Sequence, residues 1–145
     1  MYAESDDLQG LILADARNIY SETVVQHAMD PRNLGVMQDA DGFGKMTGPC
    51  GDTMEIWIKV NGDTIAGAVF MTDGCGPSIA SGSMVTEMAR GKSIGEARKI
   101  TQVDVLNALG GLPDESKHCA LLAADTLKAA IREYDRMLPP SVHTI

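Results

Sequence analysis

The sequence predicts an α+β domain: a small antiparallel β-sheet of about three strands packed against several helices. Three observations carry this expectation. Met54, Ile56, Ile58 and Val60 alternate with Glu55, Trp57 and Lys59, the period of a half-buried strand. Asn61-Gly62 follows directly and is a strong hairpin signal between apolar runs. Beyond residue 76 the apolar positions recur at helical spacing. The order helix, strands, helices is that of a sheet covered by helices rather than of a parallel α/β fold.

The elements follow in order along the chain. Residues 1–15 read as a loosely attached extension, 16–138 as one domain and 139–145 as a tail. "YSETVVQHAMDPRN" predicts a helix with Ser21 as N-cap and Pro31 just past its end. A glycine-rich stretch from Gly42 to Gly51 leads into the alternating strand. Thr64 to Thr72 supplies its hairpin partner, rich in small and β-branched residues. With the turn centred on Asn61-Gly62, position 50 faces position 73, so Cys50 and Cys75 emerge together at the open end of the hairpin. "GPSIASGSMVTEMARG" predicts a helix ending near Gly91. "SIGEARKI" and "TQVDVLNALGG" predict two short helices opening on Ser93 and Thr101 as N-caps. In the last helix, Cys119, Leu122, Ala123, Thr126, Leu127, Ala130, Ile131 and Tyr134 share one face. Asp125, Lys128, Arg132 and Asp135 lie away from it.

The totals exclude several function classes. The chain has 145 residues and 44% hydrophobic content, enough to bury a core. Its net charge of −8 repels phosphate backbones and anionic lipid, which argues against nucleic acid and membrane as partners. No apolar run approaches the roughly 20 residues of a membrane span. The acidic start "MYAESDDLQG" lacks the pattern of a signal peptide, so the expected compartment is the cytoplasm. Three cysteines at long spacings do not form a disulfide framework in such a compartment.

Chemistry therefore centres on the cysteines. Cys75 stands before a predicted helix and Cys119 in the first turn of another, where unpaired N–H groups favour a thiolate. Gly74 and Gly76 let backbone approach a bound anion, and the small residues that follow leave room above Cys75. In an extended "GPCGD", Asp52 faces the same side as Cys50. His118 adjoins Cys119. Three thiols, a carboxylate and an imidazole make a candidate metal site. Zinc accepts four such ligands. An iron–sulfur cluster prefers four thiolates, so one held by three, with Asp52 or His118 as the fourth ligand, would be labile and suited to being handed on.

At these residues the sequence resembles the iron–sulfur cluster assembly scaffold family of IscU and the N-terminal domain of NifU. The resemblance runs from Tyr20 to Tyr134, through "YSETVVQHAMDPRNLG", "CGDTMEIWIKV", "DGCGPSIASGSMVTEMARGKS" and "HCALLAADTLKAAIREY". It implies a non-enzymatic scaffold that carries a transient [2Fe–2S] cluster on Cys50, Cys75 and Cys119. It further implies that Asp52 tunes lability, His118 is a ligand and Cys119 is the first acceptor of persulfide sulfur. A cysteine desulfurase as sulfur donor, an electron donor such as ferredoxin, and recipient apoproteins are implied as partners. Zinc is implied as another occupant, and a zinc-dependent sulfur-transfer protein of SufU type is the alternative. The gap from Cys75 to Cys119 is too short for the SufU insertion.

Two features depart from the family pattern. "TGPCGD" is one residue shorter than the usual approach to the first cysteine. "LPDESKHC" replaces the leucine-proline-proline-valine-lysine stretch read by a dedicated chaperone, and this argues against chaperone-assisted transfer.

Overall fold

The computed structural model describes residues 20–138; the readings of 1–15 and 139–145 lie outside the described residues. The predicted alternation becomes β2 (Thr53–Asn61). It is the central strand of a three-stranded antiparallel sheet in the order β1, β2, β3, with β1 at Gly42–Thr47 and β3 at Thr64–Thr72. Met54, Ile56 and Ile58 are completely buried, as are Ile65 and Phe70 across the hairpin. All helices that touch the sheet pack on this face.

The hairpin register differs from the expectation. Asn61 pairs with Thr64, so Gly62 and Asp63 form the turn; Gly62 takes the positive φ of 67°, a conformation glycine adopts freely. Lys59 pairs with Gly67 but Val60 with Ile65, which leaves Ala66 as the extra residue of a β-bulge. The bulge lets Ile65 and Ala68 both face the core, although three positions separate them. Beyond it, Met54 pairs with Thr72. Extended further, this register sets Cys75 level with Gly51, so position 50 does not face position 73. The two cysteine segments still leave the sheet side by side.

The glycine-rich lead into β2 is itself the edge strand β1. Glycine disfavours strands, and the reason for it here is tertiary. A β-carbon on Gly44 would strike the Thr126 carbonyl oxygen, and one on Gly42 the Ala130 carbonyl oxygen. The last helix, α5 (Lys117–Met137), lies directly on the bare backbone of β1.

The other helices form as their caps dictate. In α1 (Glu22–Met29), Ser21 accepts from the Val24 N–H and donates to the Leu109 carbonyl, tying two elements together. In α3 (Ile94–Arg98) and α4 (Gln102–Leu109), Ser93 and Thr101 each complete a capping box. Against the sheet runs α2 (Gly76–Ala89), packed on α1, β3, α4 and α5. Its small residues do not leave room above Cys75, as the sequence suggested. Ala80, Ser81 and Ser83 are fully buried, and a β-carbon on Gly82 would enter the Phe70 ring. They let α2 pack closely on every side.

His27 of α1 and the residues just after the helix lock it to α2. His27 is buried, with Nδ1 2.7 Å from Ser83 Oγ, and Arg32 donates to its Nε2 at 2.7 Å. Asn33, at a positive φ of 65°, accepts from the Phe70 N–H, and Gly35 donates to the Phe70 carbonyl. The chain thus lies alongside β3 before entering β1.

Candidate functional site

The open end of the β2–β3 hairpin is held shut by side chains. Asp73 accepts from the Thr53 N–H at 2.7 Å, and the Thr72 hydroxyl donates to the Thr53 carbonyl at 2.7 Å. Sequence reasoning passed over Asp73, whose place in "DGCG" looks like ordinary turn composition. Its role is to bring the Cys50 and Cys75 loops together.

Cys50 and Asp52 do not lie on an extended segment. The Gly51 N–H donates to the Gly48 carbonyl, the Gly48 N–H to the Asp52 carbonyl, and Gly51 has φ 93°. This tight loop sends the two side chains to different partners. Cys50 is exposed, its sulfur 3.1 Å from His118 Nε2. Asp52 accepts from the Ser78 hydroxyl at 3.0 Å.

The remaining members come from two helix starts. Cys75 is the N-cap of α2 and makes no side-chain capping bond, so its exposed thiol is not committed to the helix. Cys119 lies in the first turn of α5 and is buried at 2% exposure. Its sulfur is 3.4 Å from Ser78 Oγ and 3.7 Å from His118 Nε2. The imidazole thus faces both the Cys50 and Cys119 sulfurs, and its Nε2 can donate to a thiolate or accept from a thiol.

Contacts thus join Cys50, His118, Cys119 and, through Ser78, Asp52, where β2, β3, α2 and α5 begin or end, and Cys75 lies close enough to act on the Cys119 thiol. Two thiols are exposed and one is buried. Among the described residues no three such groups close around one point as a finished metal cage would require.

Cys119 corrects one expectation. Its place in a first helical turn suggested a thiol shifted toward thiolate. Instead its pKa is raised, first by burial. The Ser78 hydrogen bond opposes that rise, whereas Cys75, Cys50 and Asp52 gathered nearby add to it. Desolvation of a charge outweighs the helix terminus here.

Ser78, fully buried, is the member that sequence reasoning missed. Its hydroxyl touches both Asp52 and Cys119. No pattern in "GPSIASGS" separates it from the packing serines around it.

With the fold and site in view, comparison with known proteins gives a consistent result. Residues 19–138 match the family model of the NifU-like N terminal domain. The chain is 51% identical over 119 residues to "Iron-sulfur cluster assembly scaffold protein IscU 1" of Archaeoglobus fulgidus, covering 81% of this chain and 78% of that one. It is 46% identical over 120 residues to the scaffold protein IscU of Escherichia coli K12, covering 79% and 93%. Among solved structures, a NifU-like N-terminal protein from Brucella abortus superposes with a TM-score of 0.65 at 18% identity, covering 83% and 96%. A protein from Fervidobacterium islandicum AW-1, described as a scaffold for the SUF system, does so with 0.63 at 23%, covering 80% and 98%. These two bear on the fold alone. The chain belongs to the NifU-like N-terminal domain family, which includes the IscU scaffolds.

Proposed function

We propose that this protein is a scaffold on which a labile [2Fe–2S] cluster is assembled from iron and persulfide sulfur and then passed to apoproteins. The observation that carries this reading is the gathering of Cys50, Asp52, His118 and Cys119 through direct contacts and Ser78, with Cys75 close enough to act on the Cys119 thiol, in a chain about half identical to an IscU scaffold. Soft thiolates from Cys50, Cys75 and Cys119 suit iron and sulfide, and Asp52 or His118 completes the set. Two exposed thiols provide a way in for iron and a way out for the cluster.

Sulfur arrives on a cysteine desulfurase as a persulfide. The Cys119 thiolate attacks the outer sulfur, forming a new S–S bond as the donor's thiolate leaves. This requires Cys119 to lose its proton first, a step that burial resists. Sulfane sulfur is at oxidation level zero and bridging sulfide at minus two. Each atom therefore needs two electrons, for which a ferredoxin-type donor is the fitting source. The protein performs no turnover of its own. The acidic surface and the absence of a spanning helix among the described residues fit work among proteins of the cytoplasm.

Anaerobic purification with iron, sulfide and zinc analysis tests the reading. Iron and acid-labile sulfide in equal amounts after reconstitution, lost on transfer to an apo-ferredoxin, are expected. Zinc alone, with sulfane sulfur carried on a cysteine and no cluster after reconstitution, would instead favour the zinc-dependent sulfur-transfer alternative.

A further inference from the structure

Four buried or partly buried hydroxyls near the starts and middles of the helices behave in two ways. Ser81 donates to the Pro77 carbonyl, Thr86 to that of Gly82 and Thr126 to that of Leu122, each at 2.7 Å and four residues back along its own helix. Such bonds satisfy a buried hydroxyl locally. Ser78 has no such outlet. The residue four back is Gly74, which precedes the Cys75 N-cap and lies outside α2. Its proton goes across the structure to Asp52 Oδ2 at 3.0 Å, and its oxygen lies 3.4 Å from Cys119 Sγ. A buried hydroxyl that is not paired at home requires such partners.

Gly74 makes this arrangement fit. A β-carbon there would stand 2.5 Å from Ser78 Oγ and 2.7 Å from Asp52 Oδ2, closer than atoms in a folded protein approach. The glycine before Cys75 is thus bare because the Asp52–Ser78 pair occupies its side-chain space. Its φ is not in the left-handed region, so backbone conformation does not demand glycine.

We propose that Ser78 is a positioning residue of the scaffold site: its hydroxyl holds the Asp52 carboxylate beside Cys119, and Asp52 acts in cluster release only while so held. The proposal rests on the scaffold reading above. The hydroxyl has one proton. That proton goes to Asp52 Oδ2, which seats the carboxylate on the same buried hydroxyl that touches Cys119 Sγ. Ser78 thereby fixes the carboxylate relative to the buried sulfur, a restraint that Asp52 on its loop would otherwise lack.

The test uses four proteins: wild type, Ser78→Ala, Asp52→Ala and the double variant, with Gly74→Ala as a second way to displace the pair. Thermal unfolding verifies that each folds. Each is reconstituted, and cluster transfer to an apo-ferredoxin is followed by circular dichroism. Ser78→Ala and Gly74→Ala should slow transfer in the same direction as Asp52→Ala, on the order of tenfold, the scale of a lost hydrogen bond to a charged group. In the Asp52→Ala background, Ser78→Ala should change nothing further. A merely structural serine would add its effect to that of Asp52→Ala, and additivity overturns the proposal. So does transfer by Ser78→Ala at the wild-type rate while Asp52→Ala is slowed. If wild type acquires no cluster, the scaffold reading fails separately, and Zn²⁺ affinity by chelator competition decides for Ser78: equal, non-additive shifts in the two single variants support the pairing, and a shift in one alone overturns it.

Discussion

Asp52 and His118 approach the buried Cys119 sulfur by different routes, the carboxylate through Ser78 and the imidazole directly. This separates their roles. With Asp52→Ala the three thiolates remain and His118 still reaches two of them. We expect this variant to acquire a cluster, hold it longer and transfer it at least about tenfold more slowly. Cys→Ser at 50, 75 or 119 should instead lower cluster yield, because a soft ligand is lost. Reconstitution followed by absorbance distinguishes them; equally rapid loss from Asp52→Ala and the cysteine variants would make Asp52 a required ligand. Away from the site, His27 is the residue whose charge state matters to the fold. Its pKa is lowered by burial and next by the Arg32 charge, with Glu87 acting in the other direction. The sign follows directly. Above pH 6.5, its ordinary value, folded and unfolded chains both hold it neutral and stability is full. As pH falls below that value the unfolded chain gains a proton the folded one resists, so stability declines until the lowered folded pKa is passed. Urea unfolding between pH 7.5 and 5 should show this decline, and His27→Gln should flatten it, whatever that variant's stability at pH 7.5. An unchanged slope would mean that the α1–α2 clamp does not sense pH.

At the scale of elements, the approach to α5 carries an exposed acidic turn. Leu112 is buried and anchors it, while Asp114 and Glu115 stand exposed on a single 3₁₀ turn, Asp114–Ser116. Lys117 pairs with Asp114 at 2.9 Å. Burying two carboxylates in a peptide groove is costly unless each is paired. A peptide spanning Gly111 to Lys117 should therefore leave the ATPase of a scaffold-dedicated chaperone at its basal rate. Stimulation of that ATPase would show that the acidic turn is recognised after all.

For the molecule as a whole, rigidity is unevenly distributed. The sheet's inner face and the faces of α2 and α5 that meet it are almost fully buried. The site hangs from their ends on the Gly48–Asp52 loop and the Asp73–Gly76 link. A metal ion would tie these loops to one point as its ligands give up their protons, so metal binding should stabilise them more than the core. Hydrogen exchange should slow around Cys50 and Cys75 when Zn²⁺ is added. At a concentration about 100 times the dissociation constant, protection can rise by up to about a hundredfold. Equal protection with and without Zn²⁺ excludes this coupling.

Local patterns determined much of this protein. The alternation in β2, the Ser21, Ser93 and Thr101 caps and the apolar stripe of α5 each depend on neighbours within a turn or two, so they are legible in one dimension. So are the five candidate ligands, because thiol, carboxylate and imidazole chemistry belongs to the residue type and the motifs are distinctive. What only the tertiary structure decided are matters of close approach. The glycines of β1 look like a loop until α5 lies upon them. The small residues of α2 look like open space until Phe70 and α1 fill it. Ser78 looks like one more packing serine until helix geometry denies it a carbonyl. Cys119 looks activated by its helix until burial is known, because desolvation depends on everything packed around the sulfur, and no local stretch of sequence encodes that.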